Sequence, residues 1–164
     1  ENSASRVDYW PHEAGVTLEG FSIEPIAEYN MPEYILREFK LCPVGDSLNS
    51  RTIRHFEYTE WPEMHAAPKA ADQFIDFVQQ VHKTKVQFGV TGPLVVHCST
   101  GAGRTGVFIA LAHLIDRMRL EHVVDVFTTV KLLRAERQGM VQEREQYQFL
   151  YYAAREFLAS YDQP

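Results

Sequence analysis

Apolar and polar positions alternate from Val16 to Ile23, from Tyr34 to Leu41 and from Thr52 to Thr59. Each stretch is rich in β-branched or aromatic residues, the pattern of half-buried strands. Gly45-Asp46-Ser47 with Asn49-Ser50 places a turn between the last two. The pattern changes at Trp61. A loop containing proline and alanine runs to Pro68, and then Phe74, Phe77, Val78 and Val81 recur at helical spacing. Gly89 and Gly92-Pro93 end that helix before a short apolar run, Leu94-Val95-Val96, which reads as a buried strand. Beyond the glycine-rich stretch that follows, the chain is helical almost to its end. One stripe holds Val107, Ala110, Leu111, Leu114 and Met118, and another Val126, Val130 and Leu133. A third runs through Tyr147, Leu150, Tyr151, Ala154 and Leu158. Tyr147, Tyr151 and Tyr152 are accordingly expected to be mainly core. The order of strands, helix, strand and helices predicts an α/β architecture around a mixed sheet. No repeat or low-complexity linker interrupts it, so a single domain is expected.

Charge and cysteine usage narrow the function classes. A length of 164 residues suffices for one domain with a real core. Sixteen basic against 22 acidic residues give a net charge of −6, which argues against a broad nucleic-acid or membrane-surface footprint. No apolar run reaches the length of a membrane span, and no secretory signal pattern opens the sequence. Any membrane attachment is expected to lie outside this chain. The two cysteines, Cys42 and Cys98, do not form a disulfide pattern, which fits a reducing, intracellular setting. Cys42, at the end of a strand, reads as packing.

Cys98 has different surroundings. Five residues separate it from Arg104, three of them small, between the expected strand and a helix. In such a loop backbone N–H groups turn inward and the helix points its positive end at the same spot. Gly101 and Gly103 permit the close approach and unusual dihedrals. Arg104 offers a planar fork for two phosphate oxygens. At the focus of these groups Cys98 should have a lowered pKa and act as a thiolate nucleophile toward a bound phosphate. A Walker-type nucleotide loop is excluded because no Lys-Ser/Thr pair follows the glycines. No metal is expected, since Cys98 has no second cysteine nearby and His97 as its neighbour would point the other way, and no cofactor is expected.

His97-Cys98-Ser99-Thr100-Gly101-Ala102-Gly103-Arg104-Thr105-Gly106 resembles the signature loop of tyrosine-specific phosphatases. Tyr9-Trp10-Pro11, Trp61-Pro62, Gln142 and Gln146-Tyr147 resemble further landmarks of that family, in the right order. The stretches from Ala27 to Pro32, from Tyr34 to Lys40, from Phe74 to Phe77 and from Val81 to Lys85 narrow the match. They are similar to the second, membrane-distal phosphatase domain of leukocyte-common-antigen-related (LAR-type) receptors, from about Tyr9 to Leu158. This resemblance implies the family's fold, a mixed twisted sheet flanked by helices. Residues 1–164 would be the C-terminal part of one such domain, without the family's N-terminal portion and its ring-gripping tyrosine loop. It further implies Cys98 as nucleophile and Arg104 as phosphate clamp, with a cradle of amides from Ser99, Thr100, Gly101, Ala102, Gly103 and Arg104. Thr105 would steady the thiolate, and Gln142 would position the hydrolytic water. The implied location is the cytoplasmic face of the membrane in a single-pass receptor. The implied partners are phosphotyrosine proteins, the adjacent catalytic phosphatase domain or cytoplasmic scaffold proteins, with no nucleic acid and no direct membrane contact.

The sequence also departs from an active member of that family. Where the family carries the proton-donating Asp of a Trp-Pro-Asp loop, this chain reads Trp61-Pro62-Glu63-Met64-His65-Ala66-Ala67-Pro68. Glu63 adds a methylene, no glycine is present, and the spacing to Pro68 is one residue longer. Loss of such an acid typically lowers a rate by about 10²–10⁴-fold. His65 is read as an exposed loop residue. Thr100 in place of the usual alanine should leave the cradle intact. The charged residues Glu143, Glu145, Arg134 and Arg137 are expected to face solvent. Three readings stay open at this point: a catalytically impaired regulatory domain, a fully active phosphatase, and a redox-sensing cysteine domain.

Overall fold

The structure is a computed structural model and describes residues 8–63, 65–88 and 92–161. The α/β composition is divided between two compact units, Glu1–Thr59 with the sheet and Glu60–Pro164 with the helices.

Four strands, β1 (Val16–Leu18), β2 (Phe21–Asn30), β3 (Tyr34–Pro43) and β4 (Arg51–Tyr58), form the first unit's sheet in the order β1-β2-β3-β4. Every pair is antiparallel. The stretch expected to be one strand from Val16 to Ile23 is folded back on itself. Glu19 and Gly20 both have positive φ, 48° and 81°, the geometry of a tight hairpin turn, so Val16 faces Ile23 across it. Pro25 has no N–H for the ladder, and the register between β2 and β3 shifts at Pro25/Ala27. Arg37 of β3 is buried, and its charge is matched on both sides. Its Nε donates to Glu28 of β2 at 2.7 Å and an Nη to Glu57 of β4 at 2.5 Å. Its guanidinium also lies 4.5 Å from the Trp10 ring centroid. A buried cation is tolerated in a sheet only with such partners. Register partners Glu38 and Arg54 form a further ion pair at 2.8 Å.

The second unit contains α1 (Ala71–Gln87), α2 (Gly103–Leu120), α3 (Val126–Glu136) and α4 (Arg144–Tyr161). Its core matches the periodicity closely in α1 and α2. Phe74, Phe77, Val78 and Val81 are buried on α1, and Val107, Ala110, Leu111, Leu114 and Met118 on α2. In α4 the buried face is turned by about one position. Gln146, Phe149, Leu150, Ala153, Ala154 and Phe157 are inside, whereas Tyr151, Tyr152 and Leu158 are each more than 40% exposed. The tyrosines are therefore not mainly core. A phenol keeps its hydroxyl satisfied more cheaply at a surface, and Tyr147 and Tyr151 pair their hydroxyls there at 3.1 Å.

One expected element does not form among the described residues. Leu94-Val95-Val96 pairs with no strand among the described residues, and Val95 is 85% exposed. Each observed strand lies beside its sequence neighbour through a short connection. An isolated run between two helices has no such neighbour and would need a parallel partner from farther along a chain. The described sheet is thus antiparallel, not mixed. Gly89, expected to end the first helix, lies outside the described residues; α1 closes at Phe88, whose N–H donates to Thr84 O.

Candidate functional site

The site is assembled within the second unit, at the N-terminus of α2. Its N-cap is Ala102, which supplies no side-chain hydrogen bond, and no acidic residue lies in the first turn. The first-turn N–H groups and the positive end of α2 are therefore not neutralised by the helix's own side chains. Cys98 sits at this end, half-buried. Burial by itself pushes its thiol up, but hydrogen bonds more than offset that. The Thr105 hydroxyl and N–H and the N–H groups of Thr100 and Gly101 all act on the sulfur, bringing the thiol from 9.0 to about 7. Thr105 is buried, and its hydroxyl has no hydrogen-bond partner within bonding distance; it is the side-chain group that favours the Cys98 thiolate.

The remaining cradle residues surround the same point. Ser99 and Thr100 are exposed, Gly101 and Ala102 partly buried and Gly103 buried. Gly101 has φ +68°, a left-handed conformation that a side chain would strain. A β-carbon on Gly106 would overlap the Val141 backbone nitrogen and lie 3.1 Å from Met140 C. Glycine here lets the segment after α3 press against the base of α2. Val141 itself is fully buried with φ 58°, a conformation a β-branched residue rarely takes. Its N–H donates to Ala102 O at 3.2 Å, which ties that strained segment to the cradle.

Arg104 joins the cradle to the loop that begins at Trp61. One Nη donates to Pro62 O at 3.3 Å and to Glu63 O at 3.5 Å, and the guanidinium lies 5.4 Å from the Trp61 ring centroid. The loop is held by its own backbone as well. The Trp61 indole N–H donates to His65 O at 3.1 Å, and His65 N–H to Pro62 O at 3.1 Å. At its base Lys69 and Glu60 form an ion pair at 2.8 Å. Glu63 and His65 are both solvent-exposed.

Gln142 is also brought to the cradle. Its Oε1 lies 3.4 Å from where a β-carbon on Gly103 would stand. Buried Gln146 sets this position, its Oε1 accepting from the N–H groups of Gln142 at 2.9 Å and Glu143 at 3.2 Å. That is half of a capping box for α4. Cys98, Ser99, Thr100, Gly101, Ala102, Gly103, Arg104, Thr105 and Gln142 thus share one locality, and Glu63 approaches it through its backbone. Four contributors escape a reading by side-chain chemistry: Gln146, Val141, Arg134 and Arg137. Arg134 and Arg137 are exposed as expected, yet both are engaged. Arg134 donates to Met140 O at 2.9 Å and Val141 O at 2.7 Å, and Arg137 to Gly101 O at 3.0 Å and Thr100 O at 3.1 Å. Their spacing of three at the end of a helix, before a glycine-containing return, was the available signal. Among the described residues, no group of three or more His, Cys, Asp or Glu side chains could hold a metal ion. Nor is any helix there long and apolar enough to cross a membrane.

Comparison with known proteins agrees with this geometry. The family described as protein-tyrosine phosphatase matches residues 1–156. A "Tyrosine-protein phosphatase Lar-like" of Caenorhabditis elegans is 59% identical over 94% of this chain. "Receptor-type tyrosine-protein phosphatase S" of Gallus gallus is 56% identical and "Tyrosine-protein phosphatase Lar" of Drosophila melanogaster 54%, again over 94%. The chain spans only 7%, 10% and 8% of the lengths of these three relatives, respectively. With the Cys98 cradle and a match along nearly its whole length, the chain belongs to the protein-tyrosine phosphatase family, in its LAR-like receptor-type branch.

Proposed function

We propose that this chain is part of the membrane-distal second phosphatase domain of a LAR-type receptor, on the cytoplasmic face of the membrane. In this reading it binds phosphotyrosine in an intact cradle but hydrolyses it slowly, and acts chiefly as a binding and regulatory domain. The observation that carries the proposal is the half-buried Cys98 beside the N-terminus of α2, which no side chain caps, where Thr105, Thr100 and Gly101 lower its thiol to about 7. A thiolate held this way attacks phosphorus, forming an S–P bond as the P–O bond to the tyrosine ring breaks. The Arg104 fork and the loop amides from Ser99 to Arg104 hold the phosphoryl oxygens. Water positioned by Gln142 then attacks the phosphocysteine, releasing phosphate and the thiolate that Thr105 steadies. The weak step is the first, because the departing phenolate needs a proton and only Glu63 stands at the donor position. The partners are phosphotyrosine proteins, the adjacent catalytic phosphatase domain or cytoplasmic scaffold proteins.

A fully active phosphatase is the second reading, and the Arg104 bonds to the Pro62 and Glu63 carbonyls favour it by keeping the loop at the cradle. Phosphate release from an aryl phosphate and from a phosphotyrosine peptide, beside a Cys98→Ser control, separates these outcomes. Slow release by the wild type, none by Cys98→Ser and peptide binding by both are expected. Wild-type turnover equal to that of Cys98→Ser, with no peptide bound by either, would overturn the phosphate assignment.

A further inference from the structure

The loop that receives phosphate in the proposed function is held from outside by a residue with no role in that chemistry. Arg137 follows α3, where its N–H closes the helix on Leu133 O at 2.9 Å. Its side chain is exposed and reaches the carbonyls of Thr100 and Gly101, Nη2 to the first at 3.1 Å and Nε to the second at 3.0 Å. Each carbonyl shares a planar peptide unit with the N–H of the next residue, and in a trans unit the two point in opposite directions. The Thr100 carbonyl is thus the far side of the Gly101 N–H, one of the groups that lower the Cys98 thiol. The Gly101 carbonyl is likewise the far side of the Ala102 N–H. One planar fork therefore grips two consecutive peptide units from behind.

We infer that Arg137 is a positioning residue, which aims the Gly101 and Ala102 N–H groups into the cradle by holding the carbonyls of Thr100 and Gly101. Two physical effects follow. The peptide planes cannot rotate to present a carbonyl oxygen, which would repel both thiolate and phosphate. A cationic donor on a carbonyl also polarises the amide and strengthens its N–H as a donor. Gly101 fits this arrangement, since a β-carbon there would lie 3.2 Å from Arg137 Nη2. Arg134, one turn earlier on α3, does the same for the Gln142 segment through Met140 O and Val141 O. The end of α3 thereby fixes the cradle and the glutamine segment relative to each other.

This inference rests on the reading of the loop as a phosphate site, and the test distinguishes the two. Cys98 in the full chain is alkylated with iodoacetamide across pH, with and without inorganic phosphate as protectant. Wild type, Arg137→Lys, Arg137→Gln, Arg137→Ala and Lys131→Gln are compared, the last removing an exposed charge from α3. The wild-type midpoint is expected at about 7, with protection by phosphate. Arg137→Gln and Arg137→Ala should raise the midpoint and weaken protection by about tenfold, the lower end of the penalty for removing the support of a ligand-contacting group. Arg137→Lys should fall between, and Lys131→Gln should match the wild type. If Arg137→Ala does not fold, the Lys and Gln variants decide. Folded Arg137 variants with wild-type midpoint and protection would overturn the positioning role and leave the cradle standing. An equal shift in Lys131→Gln would overturn it too, because general charge would then be the cause. A wild-type thiol with an ordinary midpoint and no phosphate protection would remove the cradle itself.

Discussion

The loop from Cys98 to Thr105 and the loop from Trp61 to Pro68 meet at Arg104, and they are built in opposite ways. The first is fixed by backbone. Its donors are N–H groups and a buried threonine, its carbonyls are held by Arg137, and Val141 presses on the helix behind it. The second is fixed by a few turn bonds and an ion pair between Glu60 and Lys69, and in the proposed function its chemistry depends on one exposed side chain, Glu63. The difference teaches where a phosphatase scaffold tolerates change. In the proposed function, a cradle made of peptide groups should tolerate Thr100 in place of alanine, because no side chain at that position is asked to bind. A proton donor is sensitive to a single methylene, because its carboxyl must reach one oxygen.

The largest effect that could break this comparison lies in the second loop. Replacing Glu63 to Ala67 with a segment of Asp-x-Gly-x form restores the carboxyl length, the spacing and a hinge together. In a domain completed with its N-terminal part, turnover of a phosphotyrosine peptide should rise by about 10²–10⁴-fold, the usual contribution of a general acid. Glu63→Asp alone should recover only part of it, since the longer loop still misplaces the carboxyl. Wild-type turnover equal to that of the graft would mean that the acid was never missing. A graft that binds phosphate yet stays inert would move the defect elsewhere.

Stability offers a second contrast, between exchanges of similar size in the two loops. Gly106→Ala forces a methyl group against the Val141 backbone, and overpacking of this kind costs about 1–3 kcal/mol. Ala66→Gly, in the other loop, should stay within about 0.5 kcal/mol. Chemical denaturation of the two variants measures both. Equal midpoints would show that the cradle is no more tightly built than the loop it faces.

Much of the cradle was legible in the sequence because its chemistry is carried by residue types at fixed spacing. Cys98, Arg104 and the glycines between them point to a tight loop at a helix N-terminus whatever packs around them. The helical stripes of α1 and α2 were legible for a similar reason, since their apolar residues point to one side only. What failed depends on distant partners. Leu94-Val95-Val96 has the composition of a strand, but composition does not supply a neighbour to pair with, and the run is left unpaired among the described residues. Along α4 the tyrosines and phenylalanines share one period, and only the packing decided that Phe149 and Phe157 go inside while Tyr151 and Tyr152 stay out. Arg137 looked like a solvated charge because the carbonyls it serves are backbone, and backbone acceptors leave no mark on a sequence.

The smallest expected effect tests whether the donors around Cys98 act on its thiolate. In the folded chain the thiol titrates at about 7, against 9.0 for an unperturbed cysteine. Between these values the unfolded chain retains a proton that the folded chain has released, so stability rises with pH across that window. The gain is fully present above about 9 and lost as pH falls through about 7. Serine does not titrate there, and histidines and Cys42 are common to both proteins. The difference in denaturation midpoint between wild type and Cys98→Ser should therefore isolate the thiol. We expect that difference to move in favour of the wild type from pH 6 to pH 9.5, by less than the full shift implies, because Cys98 is only half-buried and solvent screens its contacts. A difference that stays flat with pH would mean that the Thr105, Thr100 and Gly101 groups do not favour the thiolate. The contrast between a pre-set cradle and a dependent loop would then lose its electrostatic basis, and Glu63 would no longer be the main defect of the site.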